Sequence, residues 1–252
     1  MSLARACLLS ALPWVAGCGA SAPRPLIVAA AASMHSALDA LVAEFAPMGG
    51  AVRVVYGASG QLVAQLEQGA GFDVFLGADR AHAERLVRSG RAPGVFAYGH
   101  GRLVLWVRDA SPLHPERAGL AVLDDPRVQK IAVANPRLAP YGAAALAVLD
   151  ATGRRAGVEA RLVFAENVAQ ALHFAASGAA DVAFVAASLL AGRETTVPGR
   201  SVEVELAGGA SLEHCGVIVS ASDAKAAEAF VAFLLGPEGR RVLSAHGVAS
   251  PD

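Results

Sequence analysis

Four short segments of this chain combine small residues with serine, proline or asparagine where a loop would open into a helix. They are Ala30-Ala31-Ala32-Ser33, Gly57-Ala58-Ser59-Gly60, Ala139-Pro140-Tyr141-Gly142 and Glu166-Asn167-Val168. The first N–H groups of a helix lack partners within it and carry a partial positive charge, so several helix ends meeting at one cleft would bind an anion. Because almost no cationic side chains lie in these segments, the pattern favours capture of a fully ionised oxyanion over catalysis.

Ser33 and Ser59 are the candidates that carry a hydroxyl group. Serine is among the best N-cap residues, so both are predicted to cap helices. A cap hydroxyl that faces a cleft can also donate its proton to an anion. Gly57 and Gly60 flank Ser59 and would let a ligand come close to the backbone there. Both serines are therefore predicted ligand-binding residues, with plain capping as the alternative.

Tyr141 and Val168 are candidates through their main-chain N–H groups alone. Pro140 fits the first turn of a helix, where its missing N–H costs nothing, and this leaves the amide of Tyr141 free to point outward. Glu166 and Asn167 are the predicted cap of a further helix, so the amide of Val168 is free in the same way. For Val168, a purely structural role is the alternative.

An enzymatic alternative depends on one of the same serines. Gly57-x-Ser59 matches half of the nucleophile elbow of serine hydrolases, but Gln61 replaces the second glycine of that motif, and no signature of the other triad members is visible. The seven histidines show no spacing typical of a metal site. We therefore predict no catalytic residue, no free metal cation and no cofactor, and keep a serine hydrolase using Ser59 as the alternative.

Hydrophobic periodicity predicts two α/β units that would position these segments. The predicted strands are Leu26–Ala30, Ala51–Tyr56, Phe72–Leu76, Leu103–Val107, Lys130–Ala134, Arg161–Phe164, Asp181–Val185, Val202–Leu206 and Cys215–Ser220. The predicted helices begin at Ser33 and Ser59, cover Ala81–Ser89, Gly142–Ala151 and Val168–Ser177, and follow a cap at Ser222 or Asp223. Residues 23–100, completed by 221–252, would form lobe one and residues 101–220 lobe two, with the ligand cleft between the lobes.

The composition excludes several classes of protein. The chain has 252 residues, of which 54% are hydrophobic, and its formal net charge is -1. This length and hydrophobicity allow a substantial core and disfavour a disordered chain. A nucleic-acid binder would show a basic excess, and none is present.

Residues 1–22 are predicted to be a signal peptide, with Arg5 in a short positive region before an apolar stretch. Ala20-Ser21-Ala22 fits cleavage by ordinary signal peptidase, whereas the segment ending at Cys18 resembles a lipobox whose cysteine would be lipidated. Either route exports the protein, so a periplasmic location is predicted, with membrane anchoring through Cys18 left open. Cleavage after Ala22 leaves Cys215 without a disulfide partner, in a predicted buried strand.

Motifs over most of the chain resemble those of the periplasmic molybdate-binding proteins of ABC transporters. The four segments above carry this resemblance, together with further motifs in the same order and spacing: Gln61-Leu62, Gln65-Leu66-Glu67-Gln68-Gly69-Ala70, Asp73-Val74-Phe75, Gly101-Arg102-Leu103-Val104-Leu105-Trp106, Asn135-Pro136 and Phe184-Val185-Ala186. The resemblance covers roughly residues 26–247, and the combination of motifs makes it specific.

The resemblance implies a two-lobed, type II periplasmic-binding-protein fold that closes over a bare tetrahedral oxyanion. Ser33 and Ser59 would give hydroxyl and backbone N–H donors, and Tyr141 and Val168 would give backbone N–H groups. The ligand would be molybdate and also tungstate, with the molybdenum bound as the oxyanion through these four residues. The protein would deliver it, as a monomer, to a permease in the inner membrane.

Neutral donors suit an anion that arrives fully deprotonated. Hydrogen phosphate carries a proton that needs an acceptor, and no aspartate or glutamate is among the four predicted binding residues. Sulfate has the same charge and needs the same donors, so only the size of the cavity could exclude it. A binding protein for another oxyanion such as sulfate is therefore a second alternative.

The resemblance also implies a further ligand contact in many relatives. They use a tyrosine hydroxyl where this chain has Ala186, or an asparagine where it has Met34.

Overall fold

The computed structural model describes residues 24–191, 197–219 and 224–251 of the chain. The predicted signal peptide with Cys18, and the predicted helix cap at Ser222 or Asp223, lie outside the described residues. Within the described ranges, no helix combines the length and the apolar character that crossing a membrane would require.

Strands and helices alternate along the described chain. The strands are β1 (Leu26–Ala31), β2 (Val52–Gly57), β3 (Val74–Leu76), β4 (Phe96–Gly101), β5 (Leu103–Arg108), β6 (Ile131–Ala134), β7 (Leu162–Ala165), β8 (Val182–Ala186), β9 (Gly199–Glu203) and β10 (Leu212–Ile218). The α-helices are α1 (His35–Gly49), α2 (Ser59–Glu67), α3 (Arg80–Arg88), α4 (Pro115–Ala118), α5 (Pro140–Ala151), α6 (Arg155–Val158), α7 (Val168–Ser177), α8 (Ala224–Leu235) and α9 (Pro237–Ala245).

Within the described ranges, the strands form two five-stranded sheets, each of mixed direction. In the first sheet, ordered β2-β1-β3-β10-β4, β1 is parallel to β2 and β3, whereas β10 is antiparallel to both of its neighbours. In the second sheet, ordered β7-β6-β8-β5-β9, β6 is parallel to β7 and β8, whereas β5 is antiparallel to β8 and β9. The predicted α/β class with two units is confirmed.

Helices cover both faces of the first sheet. On one face, α1 and α8 bury Leu38, Phe45 and Phe230 in a shared apolar cluster. On the other face, α2 and α3 contribute Leu62 and Leu86 to a second cluster. A strand covered on both faces reads as a continuous apolar run, which is why β1 could be recognised from the sequence.

The second sheet has its own core, which includes Trp106 and Phe184 and is covered by α5 and α7. The same apolar cluster takes in Ala31, Ala58 and Ala78, which lie at the ends of strands or loops of the first unit. The carboxyl ends of β1, β2 and β3 therefore face the second unit, and a ligand site is expected at this edge of an open sheet.

The chain crosses between the sheets where β4 leads into β5 and again where β9 precedes β10. Strand β10 pairs with β3 and β4 in the first sheet, although the sequence analysis assigned residues up to 220 to lobe two. Strand β4 is absent from the sequence prediction, because its two glycines are typical of a turn. Near β9, the predicted strand at Val202–Leu206 is found instead at Gly199–Glu203. An apolar pattern predicts that a segment forms a strand, but it does not predict in which sheet that strand pairs.

Candidate functional site

A small cavity lies between the two sheets, where the ends of four helices converge. The first unit contributes Ala31, Ala32, Ser33, Gly57, Ala58, Ser59 and Ala78 to its lining, and the second contributes Ala139, Pro140, Tyr141, Asn167 and Val168. The structure thus brings all four sequence-predicted binding residues to one place, two from each unit. The cavity volume of about 10 Å³ is room for about one water molecule, so the two units stand close together around it.

Ser59 is the first residue of α2 and does not cap it, contrary to the sequence prediction. The N-cap is Ala58, and no side chain caps this helix. The Ser59 hydroxyl instead accepts a hydrogen bond from the amide N–H of Ala78, at 3.1 Å between Oγ and N, and the side chain is fully buried. The Ser59 oxygen accepts this hydrogen bond through a lone pair. The single proton of its hydroxyl therefore remains available to be donated to another group.

Ser33 also differs from its predicted role as an N-cap. It lies inside a short 3-10 turn, Ala32–Met34, that connects β1 to α1, and the N-cap of α1 is Met34. Only 1% of Ser33 is exposed, and its Oγ has no hydrogen-bond partner anywhere in the described ranges. A buried hydroxyl without a partner is costly, so a group that accepts this proton would be bound favourably.

The start of α5 leaves one amide free, as the sequence predicts for Tyr141. The amides of Gly142 and Ala143 both donate to the carbonyl of Ala139, and Pro140 has no N–H. Among the described residues, no partner accepts from the amide of Tyr141. Gly142 permits this geometry, since a Cβ at that position would lie 2.0 Å from the carbonyl oxygen of Ala134.

The start of α7 leaves the amide of Val168 free by a similar route. Asn167 is the N-cap, and its Oδ1 accepts from the amides of Ala169 and Gln170 at 3.1 and 3.0 Å. The next amide, that of Ala171, donates to the carbonyl of Asn167. The predicted cap is confirmed for Asn167. In the described chain, the amide of Val168 is the one N–H of this first turn without an acceptor.

The described residues that line the cavity include no charged side chain. The polar groups that face it are hydroxyls, backbone amides and the amide side chain of Asn167, whose oxygen is already used as a cap. Within the described ranges, no group of three or more histidine, cysteine, aspartate or glutamate residues is arranged to hold a metal ion. The site therefore offers hydrogen-bond donors and positive helix ends, without a carboxylate that would repel an anion.

The side chain of Tyr141 reaches across to the first unit, which the sequence analysis does not anticipate. Its hydroxyl lies 3.3 Å from Nε2 of the buried His214 on β10. Burial raises the pKa of Tyr141 and lowers the pKa of His214 to about 4. Both groups are therefore neutral at neutral pH and add no charge near the cavity.

The environment of Ser59 bears on the hydrolase alternative. A nucleophilic serine needs a base that accepts its proton. The hydrogen-bond partner of Ser59 is an N–H donor, the amide of Ala78, and within the described ranges no histidine or carboxylate lines the cavity. Among the described residues, no base therefore accepts a hydrogen bond from Ser59 in this structure.

Comparison with known proteins adds an independent line of information. A family model described as bacterial extracellular solute-binding protein matches residues 26–249. The chain is similar to the molybdate-binding protein ModA of Rhodobacter capsulatus, with 37% identity over 79% of this chain and 77% of that protein. It is also similar to ModA of Azotobacter vinelandii, with 34% identity over 87% of this chain and 88% of that protein.

Solved structures extend the comparison to the fold. The periplasmic molybdate-binding protein of Azotobacter vinelandii matches with a TM-score of 0.82 and 34% identity, over 90% of this chain and all of that one. The sulfate-binding protein SubI of Mycobacterium tuberculosis matches with a TM-score of 0.71 at 17% identity, over 90% of this chain and 87% of that one, which speaks for the fold alone. The predicted two-lobed periplasmic-binding fold is confirmed.

Proposed function

This chain belongs to the family of bacterial extracellular solute-binding proteins, and from that premise we propose that it captures molybdate for an ABC transporter. The observation that carries the proposal is the set of unused donors around one uncharged cavity. Among the described residues, the hydroxyl protons of Ser33 and Ser59 have no acceptor, and neither do the amides of Tyr141 and Val168. The similarity to molybdate-binding proteins over most of the chain supports the same ligand.

The charge of the proposed ligand matches the helix ends. Four helical segments start at the cavity, and each helix N-terminus carries roughly half a positive charge. Together they offset about two negative charges, which suits a dianion without burying lysine or arginine. Hydrogen bonds from neutral donors to a charged acceptor are each worth about 1.5–3 kcal/mol.

The donor set also supports selection against hydrogen phosphate. A protonated oxyanion needs an acceptor for its own proton, and the lining found in the described part of the chain contains no carboxylate. The Asn167 oxygen is occupied by two amides of α7, and the Ser59 oxygen is occupied by the Ala78 amide. The lining therefore offers a protonated oxyanion few acceptors, of which the Ser33 oxygen is one, whereas a fully deprotonated tetrahedral anion needs donors only.

Binding and release would proceed by a hinge motion between the lobes. Each lobe supplies two of the four donor residues, so the ligand contacts both lobes only in the closed form. An additional interlobe hydrogen bond, from the Gly60 amide to the Leu138 carbonyl at 2.8 Å, lies beside the cavity. We take lobe one as the part that carries the first sheet, including β10, and lobe two as the part that carries the second sheet.

The remaining features follow from this function as proposals. Molybdate and tungstate are both ligands, and the partner is an inner-membrane permease to which the protein delivers its ligand as a monomer. The protein is periplasmic, exported by residues 1–22, and either free after cleavage at Ala22 or anchored through a lipidated Cys18. It carries out no covalent chemistry. Intact mass of the protein purified from the periplasm distinguishes the two forms of processing.

A ligand panel tests the proposed function. Thermal unfolding of the mature chain is followed with molybdate, tungstate, sulfate or phosphate, and isothermal titration gives the Kd of each ligand that stabilises it. We expect molybdate and tungstate to raise the Tm and phosphate to leave it unchanged. A response to sulfate alone would favour the other-oxyanion alternative, and no response to any anion would refute the proposal. Labelling of Ser59 by a fluorophosphonate probe would instead support the hydrolase.

A further inference from the structure

Ser188 lies at the boundary between the two lobes, outside the lining of the cavity. It belongs to a short 3-10 turn, Ala187–Leu189, that directly follows β8 of the second sheet. The turn is held at the crossover between the lobes, because the amide of Ala187 donates to the carbonyl of Arg102 at 3.0 Å. Only 1% of Ser188 is exposed, so its hydroxyl must find its partner inside the protein.

The partner of Ser188 is a predicted binding residue of the opposite lobe. The Ser188 hydroxyl donates to the backbone carbonyl of Ser33, at 2.7 Å between Oγ and O. The contact joins the two units, because Ser188 follows a strand of the second sheet whereas Ser33 follows a strand of the first, 155 positions away in the chain. It holds Ser33 by its carbonyl and leaves the Ser33 hydroxyl, which has no partner among the described residues, available at the cavity.

This arrangement fits a supporting role in ligand binding. In a helical turn the carbonyls point away from the end at which the free amides lie. A donor on the carbonyl therefore fixes the orientation of the turn and polarises it in the direction that strengthens its amides as donors. Ser188 needs no contact with the ligand to do this.

We propose that Ser188 is a positioning residue of the oxyanion site, which holds the Ser33 turn in its binding orientation when the lobes close. The proposal rests on the proposed function, since Ser33 is taken as a ligand contact. On this proposal, opening of the lobes separates the Ser188 hydroxyl from the Ser33 carbonyl, and water replaces each as the partner of the other. The bond therefore stabilises the closed, ligand-bound form and slows ligand release.

The test is the variant Ser188→Ala, with Ser177→Ala as the matched control. Ser177 is an exposed residue of the same lobe whose hydroxyl also donates to a carbonyl, that of Phe174 within its own helix. Titration with molybdate gives Kd, stopped-flow competition gives the dissociation rate, and thermal unfolding without ligand gives the stability of the open form. Ser188→Thr, which keeps the hydroxyl, is the rescue variant.

For Ser188→Ala we expect Kd to rise about 5- to 30-fold, mainly through faster dissociation, because a buried carbonyl loses its donor in the closed form. Ligand-free Tm, and the Kd of Ser177→Ala, should stay close to wild type, and Ser188→Thr should recover most of the affinity. A Kd of Ser188→Ala within twofold of wild type, or a loss confined to ligand-free stability, would overturn the role of Ser188. A wild-type protein that binds no molybdate would refute the proposed function, and this role with it.

Discussion

Replacing Ser59 by alanine removes one oxygen that takes part in two hydrogen bonds of the proposed complex. In this structure the oxygen accepts from the amide of Ala78. In the complex its proton is donated to the anion. The bond from Ala78 exists with and without ligand, so its loss should lower the stability of the protein. The bond to the anion exists only in the complex, so its loss should raise the Kd.

The magnitudes can be separated in the same way. Loss of a hydrogen bond to a charged acceptor corresponds to about 1.5–3 kcal/mol of binding free energy, or about 10- to 150-fold in Kd. Loss of the acceptor for a buried amide costs about 1–3 kcal/mol of stability in the ligand-free protein. Because Ala78 also lines the cavity, its freed amide can turn to the anion and recover part of the binding loss. We therefore expect the Kd of Ser59→Ala to rise by about 10-fold, the lower end of the range for a lost hydrogen bond to a charged acceptor.

Val168→Ala is the matched variant, because it changes a side chain at the same cavity and keeps the amide that binds. Val168 is 4% exposed and belongs to the core of the second lobe, so truncation should cost about 1–2 kcal/mol of stability. Its Kd for molybdate should stay within about threefold of wild type. The two variants thus destabilise the protein to a similar extent and differ in their effect on binding.

Isothermal titration with molybdate and thermal unfolding without ligand, on wild type and both variants, make the comparison. The expected result is a large rise in Kd for Ser59→Ala alone and a lower Tm for both. A large loss of affinity for Val168→Ala alongside none for Ser59→Ala would refute the assignment of hydroxyl and amide donors. Equal losses in both would mean that packing of the cavity, and not the donors, controls affinity.

Three further outcomes follow from the structure. Tyr141→Phe keeps the amide and removes the hydroxyl bonded to His214. Titration with molybdate should give a Kd within about threefold of wild type, while chemical unfolding should show that the free energy of unfolding falls by about 1 kcal/mol. A tenfold rise in Kd would instead identify the hydroxyl as a ligand contact. The pKa of His214 is lowered to about 4 in the folded protein, so the contribution of the neutral His214 to stability is complete above the unfolded pKa of about 6.5 and is lost as pH falls towards 4. The unfolding free energy should therefore drop by up to about 3 kcal/mol between about pH 6.5 and about pH 4. His214→Asn should flatten this pH profile, and an unchanged profile would show that other groups cause the drop. Gly142→Ala places a Cβ 2.0 Å from the carbonyl oxygen of Ala134, so it should lower stability by about 1–3 kcal/mol and weaken molybdate binding by displacing the start of α5; an unchanged Kd would show that this close approach does not position the Tyr141 amide.

Much of the fold could be predicted because its signals are local. The order of strands and helices in the first lobe follows from short apolar runs and helical periodicity, and the start of α7 follows from Asn167, whose side chain caps the two amides next along the chain. Pro140 at the first turn of α5 is a signal of the same kind. Interactions between residues two or three positions apart depend little on the rest of the chain. These local interactions are enough to predict that the amides of Tyr141 and Val168 are free donors.

The predictions that failed involve a choice between a local partner and a distant one. Ser59 has the composition of an N-cap, yet its oxygen accepts from Ala78, on the loop after β3, because the folded sheet brings that amide within reach. The glycines of β4 are typical of a turn, but pairing with β10 makes this segment a strand. In each case a contact between distant parts of the chain outweighed a weak local preference.

The sequence by itself determined that this chain is an α/β protein with four helix starts able to bind an anion, because periodicity, capping and proline placement act over a few residues. Only the tertiary structure decided that β10 joins the first sheet, that Tyr141 meets His214, and that Ser188 holds the carbonyl of Ser33 from the other lobe. Those contacts join residues 73 to 155 positions apart, and no local pattern encodes which distant partner a buried polar group will find. The donors are local features, whereas their common orientation towards one cavity is a property of the packed lobes.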